Sequence, residues 1–229
     1  MATTGGPNTV TDGLVLALDA ASKRSYQSGT TWSDLSGGGY DGTLSVAGIG
    51  SVSGSLNTMA FNGVDNNVEV DKDATSIGSL GSVEAWVYLK EDKWMYFYYR
   101  GYNSENSLFL GYHSAAAQWF FGTYESATYT YNYWGDTGYS YYGDKWHHVV
   151  MTYDASLGSD NWKFYHNGVN RHNKDYTEEI GTNNYTPHLG STSRYWNGNI
   201  SIFNIYDRAL SASEILQNYN AIKSRFGLT

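Results

Sequence analysis

Two stretches concentrate side chains that could meet a ligand. Trp94–Tyr102 reads WMYFYYRGY, and between Trp119 and Trp134 the residues Tyr124, Tyr129, Tyr131, Tyr133 and Trp134 recur, often two apart. Alternate residues of a strand share a face, so this spacing predicts a sheet face tiled with rings. Planar aromatic faces offer the C–H surfaces of sugar rings a stacking platform with little side-chain entropy to lose. The candidate glycan-binding residues are Trp94, Tyr99, Arg100, Tyr131, Asn132, Trp134 and Tyr141, with Asn103 and Asp136 as further hydrogen-bonding partners and Tyr139 and Tyr142 extending the face. Tyrosine also serves cross-strand packing and subunit interfaces. The ring periodicity therefore leaves a docking surface and plain sheet filling open beside sugar contact.

Catalytic chemistry finds less support. Glu69, Asp71 and Asp73 lie two apart, a spacing that lines carboxylates along a strand, and a retaining glycosidase needs two of them about 5–5.5 Å apart. Yet Val68 and Val70 take the buried alternation, which turns the three acids outward beside Lys72. His147 and His148 are adjacent and must point to opposite sides of a strand, which argues against a shared metal site. No Ser-His-Asp order, HExxH, P-loop or GxGxxG arrangement is present. The expectation is a protein without enzymatic activity.

The elements that must hold such a face are short strands. Leu14 to Leu18 reads as a strand apolar on both faces, central or covered. Ser82–Leu89 places Val83, Ala85 and Val87 on one face and Glu84, Trp86 and Tyr88 on the other. In Asn199–Tyr206, Ile200 and Ile202 share one parity while Phe203 and Ile205 share the other, so the run predicts a bulge or a strand covered on both faces. A helix follows, with Ser211 as N-cap, Glu214 completing a capping box and Leu210 stapled onto Ile215. Its apolar stripe is Ile215, Leu216, Tyr219 and Ile222, its last turn carries Lys223 and Arg225, and Gly227 ends it. The helix is expected across a sheet edge or end.

The strand ending in IYDRALS and passing at once into a capped helix resembles the close of laminin-G-like, concanavalin A-like jelly-roll domains. FNGVDNNVEV (Phe61–Val70), SVEAWVYL (Ser82–Leu89), WHHVVMTY (Trp146–Tyr153) and WKFYHNG (Trp162–Gly168) are similar to that family's strands, in its order. Gly13–Leu44 resembles the N-terminal strand and loop of versions in bacteriophage structural proteins. The likeness runs from about Gly13 to the end and is weakest over Trp94–Tyr142. It implies an all-β fold, a two-sheet antiparallel sandwich of jelly-roll topology with a short C-terminal helix. It also implies a virion surface protein, a capsid decoration or tail fibre subunit presenting a lectin-like domain that adheres to glycans, or, as the alternative, a stand-alone bacterial carbohydrate-binding module or lectin. The partners would be other virion proteins or copies of itself in a symmetric assembly. No cofactor is obligatory; calcium is the optional ion, with Asp65, Asn66 and Asn67 as the nearest match to its oxygen ligands.

Composition agrees with that class. The chain has 229 residues, enough for one β domain that buries roughly 70% of its unfolded surface. It has no cysteine, 22 tyrosines, and 26 glycines beside 2 prolines, a turn-rich, disulfide-free make-up that suits folding in a bacterial cytoplasm. The net charge of −8, with the 14 basic residues scattered, excludes a phosphate-backbone binder. MATTGGPNTVTDG lacks the marks of a signal peptide and no apolar run is long enough to span a bilayer, so display at a virion surface, or an extracellular place, would be reached without that export route. Residues 1–12 read as a flexible or docking arm and 13–229 as the domain. The sequons at Asn184 and Asn199 carry no meaning in that setting.

Overall fold

Short runs of β-branched and aromatic residues separated by turns fold into strands over the residues that the computed structural model describes, which are 8–46, 50–53, 56–101, 105–134 and 143–229. In chain order these are β1 (Leu14–Asp19), β2 (Thr31–Trp32), β3 (Gly42–Leu44), β4 (Gly50–Ser53), β5 (Leu56–Asn62), β6 (Val68–Glu69), β7 (Leu80–Leu89) and β8 (Met95–Arg100). There follow β9 (Leu108–His113), β10 (Gln118–Glu125), β11 (Thr128–Trp134), β12 (Trp146–Asp154), β13 (Trp162–His166), β14 (Val169–Lys174), β15 (His188–Leu189), β16 (Asn197–Tyr206) and the helix α1 (Ala212–Ile222).

Two antiparallel sheets form a sandwich, as the resemblance implies. The first runs β14-β13-β12-β7-β16-β5-β4, with β1 also on β16, and the second runs β11-β10-β9-β8-β15-β6-β3-β2. Between them lies one apolar core to which β7 gives Val83, Ala85, Val87 and Leu89, and the second sheet gives Phe97, Leu110, Trp119 and Phe121. The β13–β14 hairpin closes at Asn167-Gly168, both at positive φ, the Asn-Gly turn whose twist matches flanking strands.

The parity switch in β16 is a bulge. Its register against β7 slips between Ile200 and Ile202, so Ile200, Phe203 and Ile205 all enter the core while Ile202 turns outward against Trp86 and Phe226. Ile200 and Ile202 thus do not share a face, because the extra residue at Ser201 resets the period of two. The bulge also marks a change of partner: residues 197–200 pair with β5 and residues 202–206 with β1. β1 is therefore a partial strand beside β16 rather than a central one.

Ser211 caps α1 with both arms of the capping box in place, and Leu210 and Ile215 share one cluster. Arg208 grips Glu214 through two hydrogen bonds, at 3.0 and 2.7 Å, and this first of all holds the Glu214 carboxyl down to about 2. The helix lies on the outer face of the first sheet and reaches its edge at the β13–β14 turn, where Leu216 and Tyr219 approach Gly168. Trp86 offers a ring surface beneath it, on which Tyr219 stacks at 5.8 Å and Phe226, in the turn after α1, at 4.3 Å. Leu216 is exposed and Asn218 is buried in its place. The stripe is therefore 215, 218, 219 and 222, which follows the helical period.

Asn218 has a reason to be inside. Its Nδ2 donates to Glu84 Oε2 at 3.0 Å and its Oδ1 accepts the Val10 amide at 2.8 Å. Glu84 also meets His148 Nε2 at 2.7 Å, Asn204 Nδ2 at 3.1 Å and the Tyr206 hydroxyl at 3.1 Å. One buried carboxylate thus joins β7, β12, β16, α1 and residues 8–12. Residues 1–7 lie outside the described part.

Candidate functional site

A tyrosine-rich face forms on the outer side of the second sheet. On β11, Tyr129, Tyr131 and Tyr133 point the same way, their neighbouring rings stacked at 5.7 and 5.8 Å. On β8 a register slip between Tyr96 and Tyr98 sends Phe97 and Tyr98 into the core. Tyr96 and Tyr99 therefore share the outer face although three apart, and stack at 5.2 Å. Phe109 and Phe120, fully buried, form the floor between them.

Two glycines make this layer possible. Gly111 pairs with Phe120 and Gly122 with Phe109, and each phenylalanine ring lies over its glycine: a methyl at Gly111 would stand 2.7 Å from Phe120 Cζ, and one at Gly122 would stand 2.4 Å from Phe109 Cε2. With that space open, rings from β8 and β11 lean inward until the Tyr96 and Tyr131 hydroxyls meet at 3.2 Å across two intervening strands. Burial, then the neighbouring Tyr96, push the Tyr131 hydroxyl pKa upward, so it stays a neutral hydrogen-bonding group.

The layer encloses a cleft of about 510 Å³ lined by Trp94, Tyr96 and Tyr99 at β8, Tyr129 and Tyr131 on β11, and Ser193 and Arg194 from the loop between β15 and β16. This falls in the size range of small-molecule sites, roughly 300–1,000 Å³. The loop is tied to β8, since Gly190 donates to Phe97 O and Tyr96 to Arg194 O, each at 3.0 Å. That anchoring sets the Arg194 guanidinium 3.6 Å from the centre of the Trp94 ring.

Of the residues singled out from the sequence, the cleft gathers Trp94, Tyr99 and Tyr131. It does not gather Arg100, Asn132 or Trp134. Strand alternation puts Asn132 and Trp134 on the opposite side from Tyr131: Asn132 is buried, and Trp134 packs on Phe164 and His166 at 6.0 and 4.9 Å. Arg100 is buried and its guanidinium is used on backbone carbonyls of Asn183 and Lys72 and on the Thr75 hydroxyl, which secures two loops. Asn103, Asp136, Tyr139, Tyr141 and Tyr142 lie outside the described residues. The sequence reading missed Arg194, which has no period to reveal it; its only signal is the aromatic pair Tyr195-Trp196 beside it in a glycine-bounded loop.

The remaining candidates have structural partners. Val68 and Val70 are buried while Glu69, Asp71 and Asp73 are exposed, so the acids do face outward. Asp19 accepts the Ala21 amide and pairs with Arg225 at 2.9 Å. In the Asp65–Asn67 loop the side-chain amide of Asn66 donates to the Asp65 carboxylate and that of Asn67 to the Asp65 backbone carbonyl. His147 and His148 do diverge: His148 meets Glu84, while His147 Nδ1 lies 2.8 Å from His166 Nε2 on the inner side. Burial, then His147, hold His166 well below an ordinary histidine.

At the end of the same sheet Glu125 accepts hydrogen bonds from the Asn106 amide and the Thr123 hydroxyl. Burial, then the adjoining Glu105 carboxyl, raise its pKa from 4.5 to about 7. A carboxyl raised in the folded state stabilises fully below 4.5, and that contribution is lost as pH rises through about 7. Glu125→Gln is therefore expected to gain about 1 kcal/mol over wild type at pH 8, discounted for its exposure, and nothing at pH 4. Urea midpoints at the two pH values check this, and equal gains at both would sink it.

Residues 62–216 match the Laminin-G-3 family, described as the concanavalin A-like lectin/glucanases superfamily. A search of curated proteins returned no match. Among solved structures the chain is similar to domain 4 of AbnA, an extracellular arabinanase from Geobacillus stearothermophilus, in complex with arabinotriose, at 18% identity and TM-score 0.65, covering 90% of this chain and 98% of that one. The botulinum neurotoxin serotype D binding domain is similar at 17% identity and TM-score 0.68, covering 92% and 51%. A Trypanosoma rangeli sialidase is similar at 17% identity and TM-score 0.63, covering 94% and 34%. The chain thus spans about half of the toxin domain and a third of the sialidase.

Proposed function

The chain belongs to the concanavalin A-like lectin/glucanases superfamily, and from that premise we propose that it is a non-enzymatic carbohydrate-binding protein whose ligand occupies the aromatic cleft. The observation that carries this reading is the cleft itself, lined by half-buried rings of Trp94, Tyr129 and Tyr131 together with the hydroxyl-bearing residues Tyr96 and Ser193. Sugar rings present C–H faces to stack and hydroxyls to hydrogen-bond, and the lining supplies both complements. No catalytic step is part of the proposal.

For its place of action we propose a virion surface, as a capsid decoration or tail fibre subunit contacting other virion proteins or further copies of itself. The likeness of Gly13–Leu44 to phage-borne versions supports this. A second reading, a carbohydrate-binding module acting apart from any virion, is favoured by the near-complete coverage of the AbnA domain. Imaging the native assembly separates the two.

Titration against an oligosaccharide panel tests the cleft. Trp94→Ala and Tyr131→Ala are each expected to weaken binding about tenfold or more, whereas Trp134→Ala should lower stability and leave affinity unchanged. Full affinity in Trp94→Ala would sink the assignment.

A further inference from the structure

Arg194 is the one charged residue among those lining the cleft. It is exposed, and among the described residues no carboxylate pairs with it. Arg208 and Arg225, by contrast, each meet an acid within 2.9 Å. In a chain of net charge −8, a cation with no carboxylate partner among the described residues, set in an aromatic cleft, stands against the prevailing sign.

Its geometry suits a particular counter-charge. With the guanidinium 3.6 Å from the Trp94 ring centre, cation–π attraction holds the group in place while its N–H edge stays free to donate. The loop bonds to β8 fix the backbone beneath it, so little freedom remains to be lost on binding. A fixed planar fork of this kind matches a carboxylate through two parallel hydrogen bonds. The positive field reaches the neighbouring His113, 4.5 Å from Trp94, whose pKa is lowered by burial and then by Arg194.

We propose that the cleft selects acidic saccharides, with Arg194 on Trp94 binding the carboxylate of a uronic or sialic acid while the tyrosines hold the ring. This rests on the carbohydrate-binding reading above and adds the chemical class of the sugar.

The test uses the intact chain and a panel of uronate- and sialate-bearing oligosaccharides, each beside its carboxyl-reduced alcohol. Reduction is expected to weaken binding about tenfold or more, and the two acid series tell which sugar is taken. Arg194→Met, which keeps an apolar cover on Trp94, should abolish the preference of acid over reduced form; its exposure makes unchanged folding the expectation, checked by thermal midpoint. Wild-type affinity for the acids should fall between low and high salt while that for the alcohols holds. Equal affinity for acid and alcohol, or a preference that survives Arg194→Met, overturns this proposal and leaves the carbohydrate-binding reading standing. Failure to bind any saccharide overturns both.

Discussion

Replacing Glu84 with alanine is expected to cost the fold about 3–5 kcal/mol at pH 7, the largest effect of any single substitution considered. The side chain is wholly inside the protein. Burial alone opposes its charge, yet the His148, Asn204 and Tyr206 hydrogen bonds outweigh it and hold the pKa below an ordinary glutamate. Alanine would strand those donors and the Asn218 amide without an acceptor beneath α1, and an unpaired buried donor costs about 1–3 kcal/mol by itself. Because the folded pKa is depressed, this stabilisation is present above the unfolded value of 4.5 and is lost as pH falls through the folded one. Urea midpoints should therefore separate wild type from variant widely at pH 7, and the gap should narrow as pH falls from 4.5 through the folded pKa. Should Glu84→Ala fail to fold, Asn218→Ala removes a single partner and is expected to cost about 1–3 kcal/mol. A loss that does not shrink on acidification would show that the lost contact is packing rather than charge.

The same network marks where sequence reading stops. The strands β7, β12, β13 and β16 and the capped helix were legible because each depends on a local period or a local hydrogen bond: Val83, Ala85 and Val87 alternate, and Ser211 reaches only to Glu214. Glu84 was placed with Trp86 and Tyr88 on one face of its strand, but its donors lie 64 to 134 residues away and no spacing connects them. Bulges had a similar effect. In β16 the switch of parity announced one, although which isoleucine turned outward depended on where β5 hands over to β1. In β8 nothing announced it, since Tyr96 and Tyr99 are three apart and a regular strand would separate them. The cleft was half legible for that reason: Trp94, Tyr99 and Tyr131 were placed in one site, while Asn132 and Trp134, one and three residues from Tyr131, were carried to the other side by alternation. Arg100 and Arg194 show the converse case. Composition treats the two arginines alike, and only loop packing decides that the first anchors backbone while the second lines the cleft.

Alanine at Gly111 is expected to destabilise the protein by about 3 kcal/mol, at the upper end of what overpacking a core costs. The reason is space, since the added methyl would lie 2.1 Å from the carbonyl oxygen of Met95 as well as 2.7 Å from Phe120. Backbone of the neighbouring strand cannot swing aside as a flexible side chain can. β8 and β9 would have to part at the register that holds Met95 against Tyr112 and Tyr96 against Gly111, and Tyr96 carries one wall of the cleft. Gly122 poses the same problem from β10, with Thr130 O at 2.5 Å behind the Phe109 ring. The distinction is measurable by a double variant. Trimming the ring in Gly111→Ala/Phe120→Leu relieves the side-chain clash alone, so it should recover little of the thermal midpoint, and whatever folded protein remains should bind saccharide more weakly than wild type. Recovery to the level of Phe120→Leu alone would mean that the ring, not the strand spacing, is the constraint. In that event the glycines would shape the floor of the cleft without setting how far apart its walls stand.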